Sequence, residues 1–136
     1  MKEQEPRIEN KIYLAGPWNI HANFWKTEIK KGGLNYYDPE IDSNQASSDT
    51  LFPDDLKAIR KASKMVVFPS NIPAEAAWFE MGYFYATHAK DNEKLDSLIV
   101  IWKEDREPKW AVKFLKMAGH IVGSVEDAIK LLNVSK

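Results

Sequence analysis

The sequence predicts an α/β protein in which helices cover both faces of a parallel β-sheet. Two observations lead to this prediction. Short apolar segments alternate with helical segments about five times along the 136 residues. The apolar segments are continuous runs, which is typical of strands buried on both faces. We therefore expect one doubly wound, three-layer α/β/α domain spanning residues 1–136, with a five-stranded, mostly parallel sheet and flexible residues 1–10.

The first three segments predict a strand, a helix and a second strand. Residues 11–16 form a short apolar run that ends in Gly-Pro, so they predict a buried strand followed by a turn. Residues 20–31 carry an apolar helical stripe closed by two glycines. Residues 34–39 predict a second strand, stopped by Pro39. The polar residues 40–50 show no period and predict a long loop.

The rest of the chain continues the alternation of helices and strands. A helix is expected from about Pro53 to Ala62, followed by a strand at 64–69. Pro73 suits the first turn of the next helix, which should run to about His88. The remaining segments predict a strand at 97–102, an amphipathic helix at 109–119, a short strand at 120–123 and a helix capped by Ser124.

The order of the strands within the sheet indicates where a ligand would bind. A flavodoxin-like order, 2-1-3-4-5, is the best match to five strands in this alternation. In such sheets, ligands bind beyond the carboxyl ends of the strands, near the point where the strand order reverses. The loops after the first three strands are therefore the expected location of a site.

Composition and motifs limit the possible partners and cofactors. The net charge of −1 gives no indication of a nucleic-acid polymer or an anionic membrane as partner. The sequence contains no cysteine, and its three histidines are scattered, so we expect no metal site. No glycine-rich phosphate loop follows the first strand, and no cofactor is expected. The polar N-terminus and the lack of a membrane-length apolar run predict a cytoplasmic protein.

A single carboxylate interrupts the most apolar helical segment. Between Ala76 and Ala86, every residue except Glu80 is apolar, aromatic or glycine. No cation lies on the same helical face as Glu80. Burying an unpaired carboxylate costs several kcal/mol. Glu80 therefore points to water at a rim, pairs with a cation from elsewhere in the fold, or lines a functional cleft.

Three segments of the chain resemble the nucleoside 2-deoxyribosyltransferase family. They are "KIYLAGPW" (11–18), "DDLKAIRKASKMVV" (54–67) and "WFEMGYFYA" (78–86). Each is a weak signal alone, but their order and spacing in one small chain are more specific. The resemblance covers most of residues 11–102. It implies a flavodoxin-like fold, a nucleoside or deoxynucleoside substrate and a homo-oligomer.

The resemblance implies three catalytic roles. The family's nucleophilic glutamate matches Glu80, which would bond to the sugar's anomeric carbon. Tyr13 matches the tyrosine that orients the nucleophile, although a tyrosine on a strand can also be an ordinary core residue. Asp55 matches the aspartate that contacts the base and transfers its proton. Asp54 is a rival for that role, and both aspartates also suit the first turn of a helix.

Further substrate contacts are predicted around the first two strands. Trp18 would stack on a base, while Gly16 and Pro17 would shape the turn and bring backbone N–H groups to the ligand. Asp38, at the end of the second strand, is either a ligand contact or an ordinary turn residue before Pro39.

The chain departs from the family pattern ahead of the helix glutamate. Family members commonly carry an acid or a serine about six residues before the nucleophile, and here that residue is Ala74. Asn71 or Glu75 could supply the missing contact. The departure leaves three functions open: a 2-deoxyribosyltransferase, an N-glycoside hydrolase of nucleosides or nucleoside 5′-monophosphates, and a ligand-binding module without catalysis.

Overall fold

The computed structural model describes residues 11–16, 23–69, 75–102 and 109–134, which form five strands and six helices. The strands are β1 (Ile12–Ala15), β2 (Tyr36–Tyr37), β3 (Lys64–Val67), β4 (Leu98–Ile101) and β5 (His120–Val122). The helices are α1 (Asn23–Lys30), α2 (Pro39–Asp42), α3 (Ser48–Lys61), α4 (Glu75–His88), α5 (Lys109–Ala118) and α6 (Val125–Val134). The flexibility predicted for residues 1–10 lies outside the described residues.

The five strands form one sheet in the order β2-β1-β3-β4-β5, and every neighbouring pair is parallel. The doubly wound fold and the flavodoxin-like strand order are therefore confirmed. The strand order reverses at β1, which lies between β2 and β3. In the register of these strands, Tyr13 on β1 stands opposite Tyr37 on β2 and Met65 on β3.

Helices pack on both faces of the sheet and give two hydrophobic cores. Alternate residues of each strand point to opposite faces. Tyr13 and Met65 face the core formed with α3, α4 and α5, whereas Leu14 and Val66 face the core formed with α1 and α6. These four side chains are completely buried. The continuous apolar strands of the sequence are thus explained by burial on both faces.

The loop predicted for residues 40–50 is wrong, because that segment is partly helical. Helix α2 begins at Pro39, where proline's fixed φ suits a first helical turn, and α3 begins at Ser48 rather than near Pro53. Thr50 explains the earlier start, since its Oγ1 accepts a hydrogen bond from the Ser47 N–H at 3.1 Å. Pro53 consequently lies inside α3.

The other predicted elements are present with shifted ends. The second strand is reduced to Tyr36–Tyr37, because α2 follows within two residues. The last helix begins after Ser124 as predicted, and the Ser124 hydroxyl accepts the N–H of Asp127 at 3.1 Å. Within the described part of the chain, no helix combines the length and the apolar character needed to cross a membrane.

Candidate active site

Glu80 is paired with Tyr13 across the core. Tyr13 is completely buried on β1, and its hydroxyl donates a hydrogen bond to the carboxylate of Glu80, which reaches it from α4. Within the described part of the chain, the hydrogen-bond partner of this glutamate is therefore a phenol rather than a lysine or an arginine. Because Tyr13 is fixed by the sheet, it also fixes the orientation of the Glu80 carboxylate.

The environment of Glu80 favours its neutral form. Burial raises the pKa of Glu80 to about 7, and the negative charge of Asp55 acts in the same direction. The hydrogen bond from Tyr13 and the charge of Lys26 lower this pKa but do not offset the burial. Burial and the nearby carboxylates likewise raise the pKa of Tyr13, so it remains a hydrogen-bond donor.

Asp55 is the second carboxylate of the site. It lies on α3, and its Oδ1 accepts a hydrogen bond from the Ser43 hydroxyl at 2.5 Å. Burial raises the pKa of Asp55, and the negative charge of Asp54 adds to this effect. The Ser43 hydrogen bond and the charge of Lys26 lower it, so the net upward shift comes from burial and like charge.

Glu80 and Asp55 line the same cavity between α3 and α4. The cavity has a volume of about 430 Å³ and is lined by Phe52, Asp55, Leu56, Ala76, Phe79 and Glu80. Apart from the two carboxylates, the lining residues that the structure describes are apolar. Phe52 is 57% exposed and Phe79 is 65% exposed, so the cavity opens to solvent beside these two rings. Two carboxylates with raised pKa values in an apolar cleft can divide nucleophilic and acid–base roles between them.

A larger apolar cavity lies between α4 and α5. It has a volume of about 510 Å³ and is lined by Trp78, Met81, Gly82, Tyr85, Asn92, Phe114, Leu115, Met117 and Ala118. Its described lining residues include no carboxylate and no cation. The smaller cavity is therefore the candidate active site, because it contains the two acids that can react.

Lys26 provides the buried positive charge behind the site, and sequence reasoning missed it. It lies on α1 beside the buried Trp25, and it is only 3% exposed. Its Nζ is 3.0 Å from the Asp38 carboxylate and 2.9 Å from that of Glu40. The sequence offered one indication of this role. Lys26 lies four residues before Lys30, so both lysines lie on the same face of α1, and in the structure both pair with Asp38.

Asp38 has a structural role that the sequence left open. Its carboxylate caps α2 through the N–H of Glu40 at 3.1 Å and also pairs with Lys26 and with Lys30, the latter at 2.7 Å. Burial alone would raise the pKa of Asp38, but the two lysines outweigh burial and hold that pKa below its ordinary range. Direct contact of Asp38 with a substrate stays a prediction.

The remaining predicted site residues occupy different settings. Asp54 accepts the backbone N–H of Asn44 at 2.9 Å and does not line the cavity, so the geometry favours Asp55 for the chemistry. Gly16 lies against the ring of Trp25, and a β-carbon at Gly16 would approach that ring to 2.6 Å. Its predicted contact with a ligand is untested. Glu75 is the first residue of α4.

Three predicted contacts, Pro17, Trp18 and Asn71, lie outside the described residues. Among the described residues, no three histidine, aspartate or glutamate side chains group in a way that could hold a metal ion.

No protein-family model matches the chain, and a search of curated proteins also finds no match.

Proposed function

We propose that the protein transfers a 2-deoxyribosyl group between nucleobases through a covalent glycosyl intermediate on Glu80. One observation carries the proposal: a half-buried carboxylate held by Tyr13 shares an apolar cavity with a second carboxylate, Asp55. The resemblance of three segments to the nucleoside 2-deoxyribosyltransferases supports the same reaction. No cofactor is required, because the two acids supply the nucleophile and the proton.

In the first half of the reaction, Glu80 attacks the anomeric carbon of the nucleoside. The bond between C1′ and the base nitrogen breaks as an ester bond forms between C1′ and the Glu80 carboxylate. The electron pair of the broken bond passes to the base, which takes a proton from the carboxyl group of Asp55. The Glu80 carboxylate also stabilises the positive charge that develops on the sugar. The apolar lining of the cavity strengthens this attraction.

In the second half of the reaction, another base attacks the ester from the face that the first base left. Its ring nitrogen bonds to C1′, and the ester bond breaks to return the Glu80 carboxylate. Asp55 takes back the proton that the incoming nitrogen loses. The configuration at C1′ is retained, because each half of the reaction inverts it once.

Hydrolysis of the N-glycosidic bond is the second candidate, and one observation favours it. The cavity is open to solvent beside Phe52 and Phe79. Water could therefore reach the glycosyl ester and take the place of the acceptor base. Transfer requires that a bound base or a second copy of the chain excludes water from this opening.

A homo-oligomer belongs to the same proposal. Four large apolar side chains on α3, α4 and α5 are exposed: Phe52, Phe79, Phe114 and Met117. A second copy covering them would bury apolar surface and shield the cavity. Sedimentation of the unmodified chain and of Phe79→Asp tests the assembly, which is refuted if both sediment as monomers.

We also propose a cytoplasmic location, as the sequence predicts.

Product analysis tests the proposed reaction directly. The protein is incubated with a panel of purine and pyrimidine deoxynucleosides, with and without a free acceptor base. Transfer yields the new nucleoside only when the acceptor is present, whereas hydrolysis yields free sugar in both cases. Without acceptor, mass spectrometry of the denatured protein should find one deoxyribosyl group on the peptide containing Glu80.

The matched control is Glu126→Gln, because Glu126 is an exposed glutamate on α6. This variant should react like the unmodified protein, while Glu80→Gln should form neither product nor adduct. If the unmodified protein cleaves none of the nucleosides, the catalytic proposal is wrong and the chain is a binding module.

A further inference from the structure

We propose that Tyr37 and Ser43 are positioning residues that determine which oxygen of Asp55 exchanges a proton with the base. The two residues form a short chain of hydrogen bonds that ends on Asp55. The inference rests on the proposed function for the identity of the proton acceptor. The chain of hydrogen bonds itself can be tested without turnover.

The hydrogen bonds run from β2 to α3. The Tyr37 hydroxyl lies 2.7 Å from the Ser43 Oγ, and the Ser43 hydroxyl donates to Asp55 Oδ1 at 2.5 Å. Ser43 has a single hydroxyl proton, and this proton is directed at Asp55. The Tyr37 hydroxyl is therefore the donor to Ser43, and the chain has one direction, from phenol to serine to carboxylate.

This direction distinguishes the two oxygens of Asp55. Oδ1 is occupied by the Ser43 donor, so a proton carried by Asp55 sits on Oδ2. Because Asp55 lines the cavity, Oδ2 is the oxygen left to exchange that proton with a ring nitrogen of the base. Ser43 thus holds the Asp55 carboxyl group in one of its two possible orientations. The proton is therefore on Oδ2 before the glycosidic bond breaks.

The surrounding structure holds both donors in place. Ser43 is 4% exposed and follows the last residue of α2, where its own N–H bonds to the Pro39 carbonyl at 3.3 Å. The ring of Tyr37 stacks on that of Tyr13 with centroids 5.7 Å apart and planes 14° apart. Burial raises the pKa of Tyr37, so its hydroxyl keeps its proton.

Other charged groups around Asp55 act independently of this chain of hydrogen bonds. Its environment includes Asp54 on α3, Lys26 on α1, Glu80 on α4 and the phenol of Tyr13 on β1. Replacing Ser43 keeps all of these groups in place, and replacing Tyr37 with phenylalanine keeps the ring that stacks on Tyr13. A shift in the titration of Asp55 in such variants therefore reports the loss of the hydroxyl donor.

The experiment compares three variants by carbon-13 NMR of aspartate-labelled protein. Ser43→Ala removes the donor to ionised Asp55, so its titration midpoint should rise by about one pH unit, a tenfold change in its ionisation constant. Tyr37→Phe leaves Ser43 in place, so the rise should be smaller. Ser43→Thr keeps the hydroxyl and should restore the midpoint of the unmodified protein.

Turnover is measured on the same proteins. Ser43→Ala should lower kcat about tenfold while KM changes less than about twofold, because the change concerns proton transfer rather than binding. Ser43→Thr should recover the loss in kcat. If kcat is lost in Ser43→Thr as well, the role of Ser43 in catalysis is refuted.

The NMR titration separates failure of this inference from failure of the proposed function. An unchanged or lowered Asp55 midpoint in both Ser43→Ala and Tyr37→Phe would overturn the inference. If the unmodified protein shows no turnover while the midpoints rise as expected, the hydrogen-bond chain stands and the proposed reaction falls. Tyr37→Phe interrupts the same chain of hydrogen bonds one step further from Asp55, so it serves if Ser43→Ala does not fold.

Discussion

Tyr13 and Tyr37 stand opposite each other on β1 and β2, and their stacked rings serve two different carboxylates. The hydroxyl of Tyr13 donates to Glu80, while that of Tyr37 acts on Asp55 through Ser43. Parallel pairing of β1 and β2 places the two phenols side by side. Each carboxylate therefore has its own hydrogen-bond donor, Tyr13 for Glu80 and Ser43 for Asp55.

Removing the Tyr13 hydroxyl should make Glu80 harder to ionise. Tyr13→Phe deletes the hydrogen bond that lowers the pKa of Glu80, so this pKa should rise above its value of about 7. The rate of glycosyl-ester formation at pH 7 should fall roughly 10- to 100-fold, and the rate should recover toward higher pH. Single-turnover rates between pH 5 and 9 measure both effects.

Tyr36→Phe is the matched control, because Tyr36 lies on the same sheet but donates to the Ile29 carbonyl at 2.5 Å, on the other face. It should leave the pH dependence of the rate unchanged. An equal shift of the pH profile in both variants would contradict the role assigned to Tyr13.

Glu80 should lower the stability of the folded protein at neutral and alkaline pH. Its pKa rises from 4.5 to about 7 on folding, so the folded state binds the proton more tightly than the unfolded state. The stability associated with this proton is fully present below pH 4.5 and is lost as the pH rises through about 7. The loss amounts to at most about 3 kcal/mol, at 1.36 kcal/mol for each pH unit.

Glu80→Gln removes this loss, because the amide stays neutral and its oxygen can still accept from Tyr13. The variant should unfold at a higher urea concentration than the unmodified protein at pH 8, and at nearly the same concentration at pH 4. Glu126→Gln should match the unmodified protein at both values. A stabilisation that is equal at pH 4 and pH 8 would contradict the assigned pKa.

The fold was predictable from the sequence because burial on both faces leaves a direct pattern. Continuous apolar strands alternating with helices indicated the parallel sheet and its strand order. The error at residues 40–50 has a physical cause: α2 has four residues, too few for a hydrophobic period. The start of α3 depended on a backbone contact of Thr50, which the pattern of apolar residues does not show.

The site was only partly predictable. Glu80 could be found because a carboxylate within an apolar run needs an explanation, and its contact with Tyr13 followed from the resemblance. Lys26 and Ser43 were missed, since each acts through residues distant in sequence. Ser43 lies in a polar stretch where a buried hydroxyl looks like any loop residue, and only the fold brings it to Asp55.

The buried Lys26 should be essential for stability. Lys26→Met removes the cation that pairs with Asp38 and Glu40 and leaves the Asp38 carboxylate buried without one of its two lysine partners. We expect a loss of about 3–5 kcal/mol in the free energy of unfolding, which is typical when one member of a buried ion pair is removed. Urea denaturation at pH 7 measures it.

Lys31→Met is the control for this loss, because Lys31 follows the last residue of α1, is exposed and forms an ion pair with the exposed Glu28 at 2.9 Å. It should change the free energy of unfolding by less than about 1 kcal/mol. If both variants lose similar amounts of unfolding free energy, the buried ion pairs of Lys26 contribute no more to stability than an exposed pair.

Two glycines should respond oppositely to the same substitution. At Gly16, a β-carbon would approach Trp25 Cζ2 to 2.6 Å, closer than packed atoms tolerate, and this ring is buried. Gly16→Ala should therefore lower the free energy of unfolding by about 1–3 kcal/mol.

At Gly82, inside α4, a β-carbon would meet nothing within 4 Å. Gly82→Ala should stabilise the protein by about 0.5–1 kcal/mol, because alanine restricts the unfolded chain and favours helix.

The clash at Gly16 can be separated from a change in backbone flexibility by a double-mutant cycle. Trp25→Phe shortens the ring that the new methyl group would strike, so the cost of Gly16→Ala should be smaller in that background. Urea denaturation of the four proteins in the cycle gives the coupling energy. A coupling near zero would mean that the alanine acts through the backbone rather than through the ring. A coupling of at least about 0.5 kcal/mol would establish that close contact with Trp25 is what requires glycine after β1.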